Sequence, residues 1–442
     1  MGFLANVSRR GQRWPAFTIR GWGFLAASIA LFVLAPMLGQ REIAFAASAS
    51  LALPLLALLL VSVRRPKLTV VRRFSPETAN AGAECEVSLS VQNWGIATTP
   101  AALWHDEAAS PLISSPTDTL PPLPAFRSLE TGTPRVTTAR YLIESPRRGQ
   151  HEVGPLWIRF SDPFGLATRR FAVGGTDVLT VTPDVETLSR GSFRLPSGDG
   201  QSMQSRRPSA SGEQDVIARK YQTGDSIRRV HWPATARHSE LMVRQDDQHT
   251  DHEAVIVLDN RLESFAHDRR GRAGETQSEA FEWAVSMSVS IGMHLLGEGY
   301  RTVFVESADP AAPHSGERSA GEPAELLLRG ARARLGAGHL PLAVRDIVAD
   351  AGHGSGELPP LFAVLGDVDA ESLDALSRAA TASSSALAFI VHDVPPTSQE
   401  LAPEWARRLR EHLMRAGWTA RLVSPVDTPS SAWEPDTARL AR

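Results

Sequence analysis

Cysteine is almost absent. Cys85 stands alone among 442 residues, which excludes a disulfide framework or a thiolate zinc site within one chain and fits a reducing compartment. A glycine-rich phosphate loop, a nucleophile elbow and a zinc-protease motif are also missing, so no catalytic class announces itself by local pattern. Nor is there an excess of either charge: the net value of −3 argues against a general nucleic-acid binder, whose surface would be basic. The lone thiol has a structural reading. Cys85, Val87, Leu89 and Val91 alternate with Glu86, Ser88, Ser90 and Gln92, which places Cys85 on the buried face of a strand, whereas a reactive thiol needs exposure and a basic neighbour.

What the chain does have is two uncharged apolar runs close together, residues 21–38 and 43–63. Each approaches the roughly 20 residues a helix needs to cross a bilayer core. Pro54 in the second run is compatible with a span, because neighbours can satisfy the freed carbonyl. Arg9, Arg10, Arg13 and Arg20 precede the pair, Arg64, Arg65, Lys67, Arg72 and Arg73 follow it, and the connection carries only Arg41 balanced by Glu42. Basic residues at membrane ends stay cytoplasmic. The expected topology is a transmembrane hairpin over 21–63, with a basic cytoplasmic tail at 1–20 and the soluble remainder also cytoplasmic. A rival reading makes the first run a signal peptide cleaved near Ala44-Phe45-Ala46; the second run would still anchor the chain.

After the membrane the pattern is β. Tyr141 and Ile143 alternate with polar neighbours, as do Leu156, Ile158 and Phe160, while Leu179 and Val181 mark another strand. Asn93-Trp94-Gly95 and Asp162-Pro163-Phe164-Gly165 are turn chemistry. Short strands without helical interruption predict an all-β, immunoglobulin-like antiparallel sandwich over 68–189. The proline-rich stretch 111–124 is expected to be a long surface loop. Residues 190–211, rich in Ser, Gly, Pro and Arg, read as a flexible linker.

From 212 to 442 strand and helix alternate. Strands are expected at 254–258, 302–305, 361–365, 387–391 and 419–423, with helices at 278–297, 324–335, 370–380 and 403–416. That rhythm predicts an α/β domain with a mainly parallel sheet. Ligands of such sheets sit beyond the carboxyl ends of the strands, where Asp259 and Asp367 fall. Two carboxylates at one rim could hold a hard cation such as Mg2+ or Mn2+, although strand-end capping is the plainer reading of both. The acidic run at 246–253 with His249 and His252 lacks the spacing of a zinc site and reads as a solvated turn.

The segment richest in chemistry is 219–237: Arg219, Tyr221, Gly224, Asp225, Arg228, His231, Trp232 and Arg237 stand in the pattern Arg-x-Tyr-x-x-Gly-Asp-x-x-Arg-x-x-His-Trp-x-x-x-Ala-Arg. Basic and aromatic side chains interleave as an acidic or phosphate-bearing partner would require; an internal ion-pair network is the structural alternative. Asp225 is expected to cap a short helix that runs through Trp232 and ends at Pro233. A hydrolase using Asp225 and His231 is a third reading, with no partner group at a recognised spacing. This pattern resembles the signature of the family called domain of unknown function 58. The two N-terminal spans, Arg147-Arg148-Gly149 and the Asp162-Pro163-Phe164-Gly165 turn resemble the same family. The resemblance implies a bacterial, multi-pass inner-membrane protein whose last domain is von Willebrand factor A-like. It implies an adaptor or substrate-handling partner of a MoxR-type AAA+ ATPase; with the charge balance and the missing catalytic motifs, the expectation is a non-enzymatic adaptor for that ATPase and a client protein, with no nucleic acid and no required cofactor. No catalytic residue comes with it. The A-domain metal pattern has Asp-x-Ser-x-Ser where this chain has Asp259-Asn260-Arg261-Leu262-Glu263, and a guanidinium beside a divalent ion is repulsive.

Overall fold

The computed structural model describes residues 14–109, 111–114, 118–126, 136–190, 217–220, 232–238, 240–245, 253–265, 278–307, 322–341, 344, 359–393 and 402–434. The chain divides into two compact units, 1–185 with 324–334, and 186–323 with 335–442.

The first unit begins with strand β1 (Ala16–Phe17) and two apolar helices, α1 (Ile19–Leu38) and α2 (Arg41–Val63). Both are long and apolar enough to cross a membrane, and only 17% of each apolar stretch is buried. Most of their Phe, Leu and Val side chains face outward, unlike those of a soluble core helix. α2 continues unbroken through Ala44-Phe45-Ala46.

Ten further strands follow: β2 (Leu68–Ser75), β3 (Thr78–Asn80), β4 (Glu84–Asn93), β5 (Ala102–Ala108), β6 (Ile113–Ser114), β7 (Asp118–Leu120), β8 (Val136–Glu144), β9 (Gly149–Ser161), β10 (Ala167–Val173) and β11 (Asp177–Thr182). Among the described residues, β2, β4, β8 and β6 form one sheet and the others, with β1, form a second. Alternate residues of both sheets meet in one core, with Val87, Leu89 and Ile143 from the first and Trp104, Ile158, Phe171 and Leu179 from the second. This is a β-sandwich, and Cys85 is fully buried in it, where burial pushes the thiol up and away from reactivity.

Two expectations need correction. The proline-rich stretch is not a plain surface loop: β7 adds to β5, and Leu120 and Leu123 are buried. The sandwich is not purely antiparallel, because β11 pairs with β3 in parallel. In the same unit helix α5 (Pro323–Arg332) ends under Arg148, whose guanidinium donates to the carbonyls of Gly330 and Ala333, both at 2.8 Å. A cation there satisfies orphan carbonyls and opposes the helix dipole.

The second unit starts earlier than the composition suggested. The Glu186 amide donates to Ser290 Oγ at 3.1 Å, and the Ser189 carbonyl accepts from Trp433 Nε1 at 3.0 Å. An antiparallel ribbon, β12 (Ile217–Lys220) with β13 (Met242–Gln245), encloses the short helix α3 (Trp232–His238). Pro233 lies in the first turn of α3, where its missing N–H would have no partner anyway; of the helix expected from Asp225 to Trp232, residues 225–231 lie outside the described residues.

The main sheet contains β14 (Glu253–Leu258), β15 (Arg301–Glu306), β16 (Leu361–Leu365), β17 (Ala386–Val391) and β18 (Thr419–Val423), all parallel in the order β15-β14-β16-β17-β18. Its three central strands, β14, β16 and β17, are buried on both faces, hence their continuous apolar runs. Val255, Val257 and Ile390 pack with α6 (Ala370–Thr381) and α7 (Glu404–Arg415). The alternate residues Phe362 and Phe389 face Trp433, in helix α8 (Pro429–Trp433), which also meets His294 of α4 (Glu279–Gly297). Ser278 caps α4 by accepting from the Phe281 amide at 3.0 Å, the interaction expected of an N-cap serine.

Candidate functional site

Strand order defines where a site can form. β14 has β15 on one side and β16 on the other, so connections leave in opposite directions at the carboxyl ends of β14 and β16. That switch point is where open α/β sheets bind ligands. Asp259 follows β14 and Asp367 follows β16 by two residues. The two loops are stitched together: the Asp367 amide donates to the Ser264 carbonyl at 2.9 Å. Gly366 makes this approach possible, since a Cβ there would stand 2.3 Å from that carbonyl oxygen.

Asp259 is completely buried. Its carboxylate receives Arg261 in a fork, with Nε to Oδ1 at 3.0 Å and Nη2 to Oδ2 at 3.0 Å. The Arg261 amide and Ser307 Oγ also lie within reach of Oδ1, at 3.2 and 3.1 Å. The remaining guanidinium nitrogen, Nη1, donates to Asp369 Oδ1 and Ser372 Oγ, both at 3.2 Å. Planar, bidentate pairing of this kind is what arginine provides and lysine cannot. Burial works against the Arg261 charge, but Asp259 and then Asp369 outweigh it and hold its pKa above the ordinary value. Asp369 is held below its ordinary range: burial opposes this, and hydrogen bonds from Ser372 with the Arg261 charge prevail.

This geometry decides how well a divalent cation fits. Both Asp259 oxygens already accept from a cation carried by the chain itself, and a metal ion would have to displace it against charge repulsion. Asp367 is half-buried, and its amide is engaged by the Ser264 carbonyl. The residues present do not fit Mg2+ or Mn2+. Calorimetric titration of the chain with either ion should therefore give no saturable heat; binding abolished by Asp259→Ala would contradict this. Sequence reading found Asp259 and flagged Arg261 as an obstacle to metal. It missed Ser307, Asp369 and Ser372, which come from distant segments; the only local signal was Asp369 at the start of a helical pattern.

The signature residues divide. Arg219 lies in β12, opposite Val243. Tyr221, Gly224, Asp225, Arg228 and His231 lie outside the described residues. Trp232 and Arg237 are both on α3 and both exposed, Trp232 by 66%. The ribbon and α3 are tied by the Met242 amide, which donates to Thr235 Oγ1 at 3.0 Å.

No curated protein matches the chain. Among solved structures, the CARDB domain of the PF1109 protein from Pyrococcus furiosus, in complex with di-metal ions, is 13% identical. It covers 26% of this chain and 88% of its own, with a TM-score of 0.18. A von Willebrand factor type A structure from Catenulispora acidiphila is 10% identical, covering 43% of this chain and 41% of its own, with a TM-score of 0.26. Scores this low assign no fold. The family resemblance is borne out over one segment: residues 217–319, which carry the ribbon, α3, β14, α4 and β15, match the family described as protein of unknown function DUF58.

Proposed function

We propose that the chain is a non-enzymatic, membrane-tethered adaptor, with its soluble parts on the cytoplasmic side, that offers the signature segment to a MoxR-type AAA+ ATPase. The observation that carries this reading is Trp232. A large aromatic left 66% exposed on a short helix, with Arg237 also exposed further along the same helix, is the composition of an interface anchor, because tryptophan and arginine dominate binding hot spots. The ribbon is tied to that helix through Thr235, while Trp232 and Arg237 stay exposed. The ATPase as partner follows from the family resemblance, and the tether from two apolar helices whose surfaces are exposed. A metal-dependent binding module is not favoured, because Arg261 takes both oxygens of Asp259.

Affinity capture of the full detergent-solubilised chain, with a slowly hydrolysed ATP analogue present, tests the reading. A AAA+ ATPase should be retained, and retention should fall at least about tenfold for Trp232→Ala with Arg237→Glu, as loss of a hot-spot pair implies. Amide-exchange protection of β14 should stay unchanged. Absence of an ATPase, or retention indifferent to the double substitution, refutes it.

A further inference from the structure

The ends of the two apolar helices are built into the sandwich. β1 pairs with β10, Ala16 opposite Thr168 and Phe17 opposite Ala167, immediately before α1 begins. Thr18, the N-cap of α1, donates through its amide to the Leu166 carbonyl at 2.9 Å and through its hydroxyl to the Gly165 carbonyl at 2.6 Å. At the same level α2 ends. Ala57 and Val61 pack on Leu166 and Ala167, and Arg169 donates to the Ser62 carbonyl at 2.7 Å.

The turn that makes these contacts is itself rigid. Asp162, nearly fully buried, accepts from the amides of Phe164 at 2.8 Å and Ala167 at 2.6 Å. Gly165 supplies the positive φ of 68° that closes the turn. Phe164, at its tip, is left 61% exposed. A second loop reaches the same end of the sandwich. The Trp94 amide donates to the carbonyl of Lys67, four residues beyond the last residue of α2. Trp94 stacks on Phe126 at 4.5 Å and bonds Thr69 Oγ1 at 2.8 Å, while the neighbouring Ile96 is 97% exposed. At the helix ends Trp22, 63% exposed, meets Phe17, and the charges of Arg20, Arg64, Arg65 and Lys67 are exposed.

Resting on the membrane reading above, we infer that the two loop tips, Phe164 and Ile96, are seated in the headgroup–acyl boundary of an anionic leaflet, so that the sandwich is clamped to the bilayer surface. Continuity fixes the occupant. The tips extend from the level at which both spans leave the apolar core, where an aromatic and basic collar belongs. The exposed arginines and Lys67 favour anionic lipid headgroups within a Debye length. Among the described residues, nothing else covers Phe164 or Ile96.

The lone buried cysteine makes a site-specific test possible. In a Cys85→Ala background, single cysteines at Phe164, Ile96, Val33 and Glu84 are labelled with an environment-sensitive fluorophore. Each full chain is reconstituted in phosphatidylcholine–phosphatidylglycerol vesicles carrying a chain-attached nitroxide near the headgroup or near the chain end. Val33, 60% exposed on α1, reports the span. Glu84 begins β4, roughly 30 Å along the strand from Asn93 at 3.4 Å per residue, and serves as the distant control. The expected result is a blue shift and shallow-nitroxide quenching at Phe164 and Ile96, deep quenching at Val33, and neither at Glu84. Quenching at Val33 with either loop probe unquenched overturns the clamp and leaves the membrane reading standing. No quenching at Val33 overturns the membrane reading and the clamp with it.

Discussion

Arg261→Met should destabilise the parallel-sheet unit by about 3–5 kcal/mol, the cost of stranding a buried carboxylate by removing its partner. The substitution keeps most of the side-chain volume, so the loss is electrostatic. Asp259 has no exposure through which water could replace the guanidinium, and Ser307 offers it a single hydroxyl. Amide exchange across Val255–Leu258 reads the local opening free energy. The companion variant isolates the cause: with Asp259→Leu added, most of the loss should return, because an apolar pair of similar volume often matches a buried ion pair. If the double variant is as unstable as the single, packing explains the loss and the ion pair does not. The pH profile adds a check on Asp369. Its folded pKa is depressed, so its contribution is present above the unfolded carboxyl value and is lost as pH falls through the folded one. Acid sensitivity below about pH 4 should therefore diminish in Asp369→Asn.

The same residue shows where sequence reading reaches its limit. Alternation of apolar strands and amphipathic helices made the parallel sheet legible to within a residue or two, and placed Asp259 at the end of its first strand. Arg261 could be seen as a misfit in a metal pattern, because that needs only local spacing. Its real role depends on Asp369 and Ser372, more than 100 residues away, and no periodicity carries such information. β5 was missed for a related reason. Its inward positions are Ala102, Trp104 and Asp106, and a charge at a core position breaks the apolar alternation by which strands are recognised. The partner of that charge was misread too. Arg72 was counted among the basic residues flanking the membrane, yet its side chain is 2% exposed and neutralised inside the sandwich. Arg20, Arg64, Arg65 and Lys67 still flank the apolar pair as exposed charges.

The Arg72 network supports the second large effect. Arg72 forks onto Asp106, Nε to Oδ2 at 2.8 Å and Nη2 to Oδ1 at 2.7 Å, and also pairs with the half-exposed Asp177. The Tyr141 hydroxyl donates to Asp106 as well. Burial disfavours the Arg72 cation, but the hydrogen bond and charge of Asp106, joined by Asp177, hold its pKa above the ordinary value. Arg72→Met leaves Asp106 with the tyrosine alone in a core it cannot leave, for a loss of about 3–5 kcal/mol. The calorimetric transition of the sandwich should drop by on the order of 10 °C. Asp106→Asn should cost less, since a neutral amide can still accept from Arg72 and strands a better-tolerated group. Equal losses for the two would mean that charge is not what the network contributes. Tyr141 gives the pH signature. Burial first, and Asp106 next, push its pKa above the ordinary 10.0. The folded state thus keeps a proton that the unfolded chain releases, and stability is complete below about pH 10 and falls as pH rises beyond it. Tyr141→Phe should flatten that alkaline fall. β2 begins five residues past the end of α2, so a sandwich loosened at Arg72 should also lose its hold on the two apolar helices. Fluorophores at Phe164 and Ile96 should then lose their shallow quenching at temperatures where the quenching at Val33 persists.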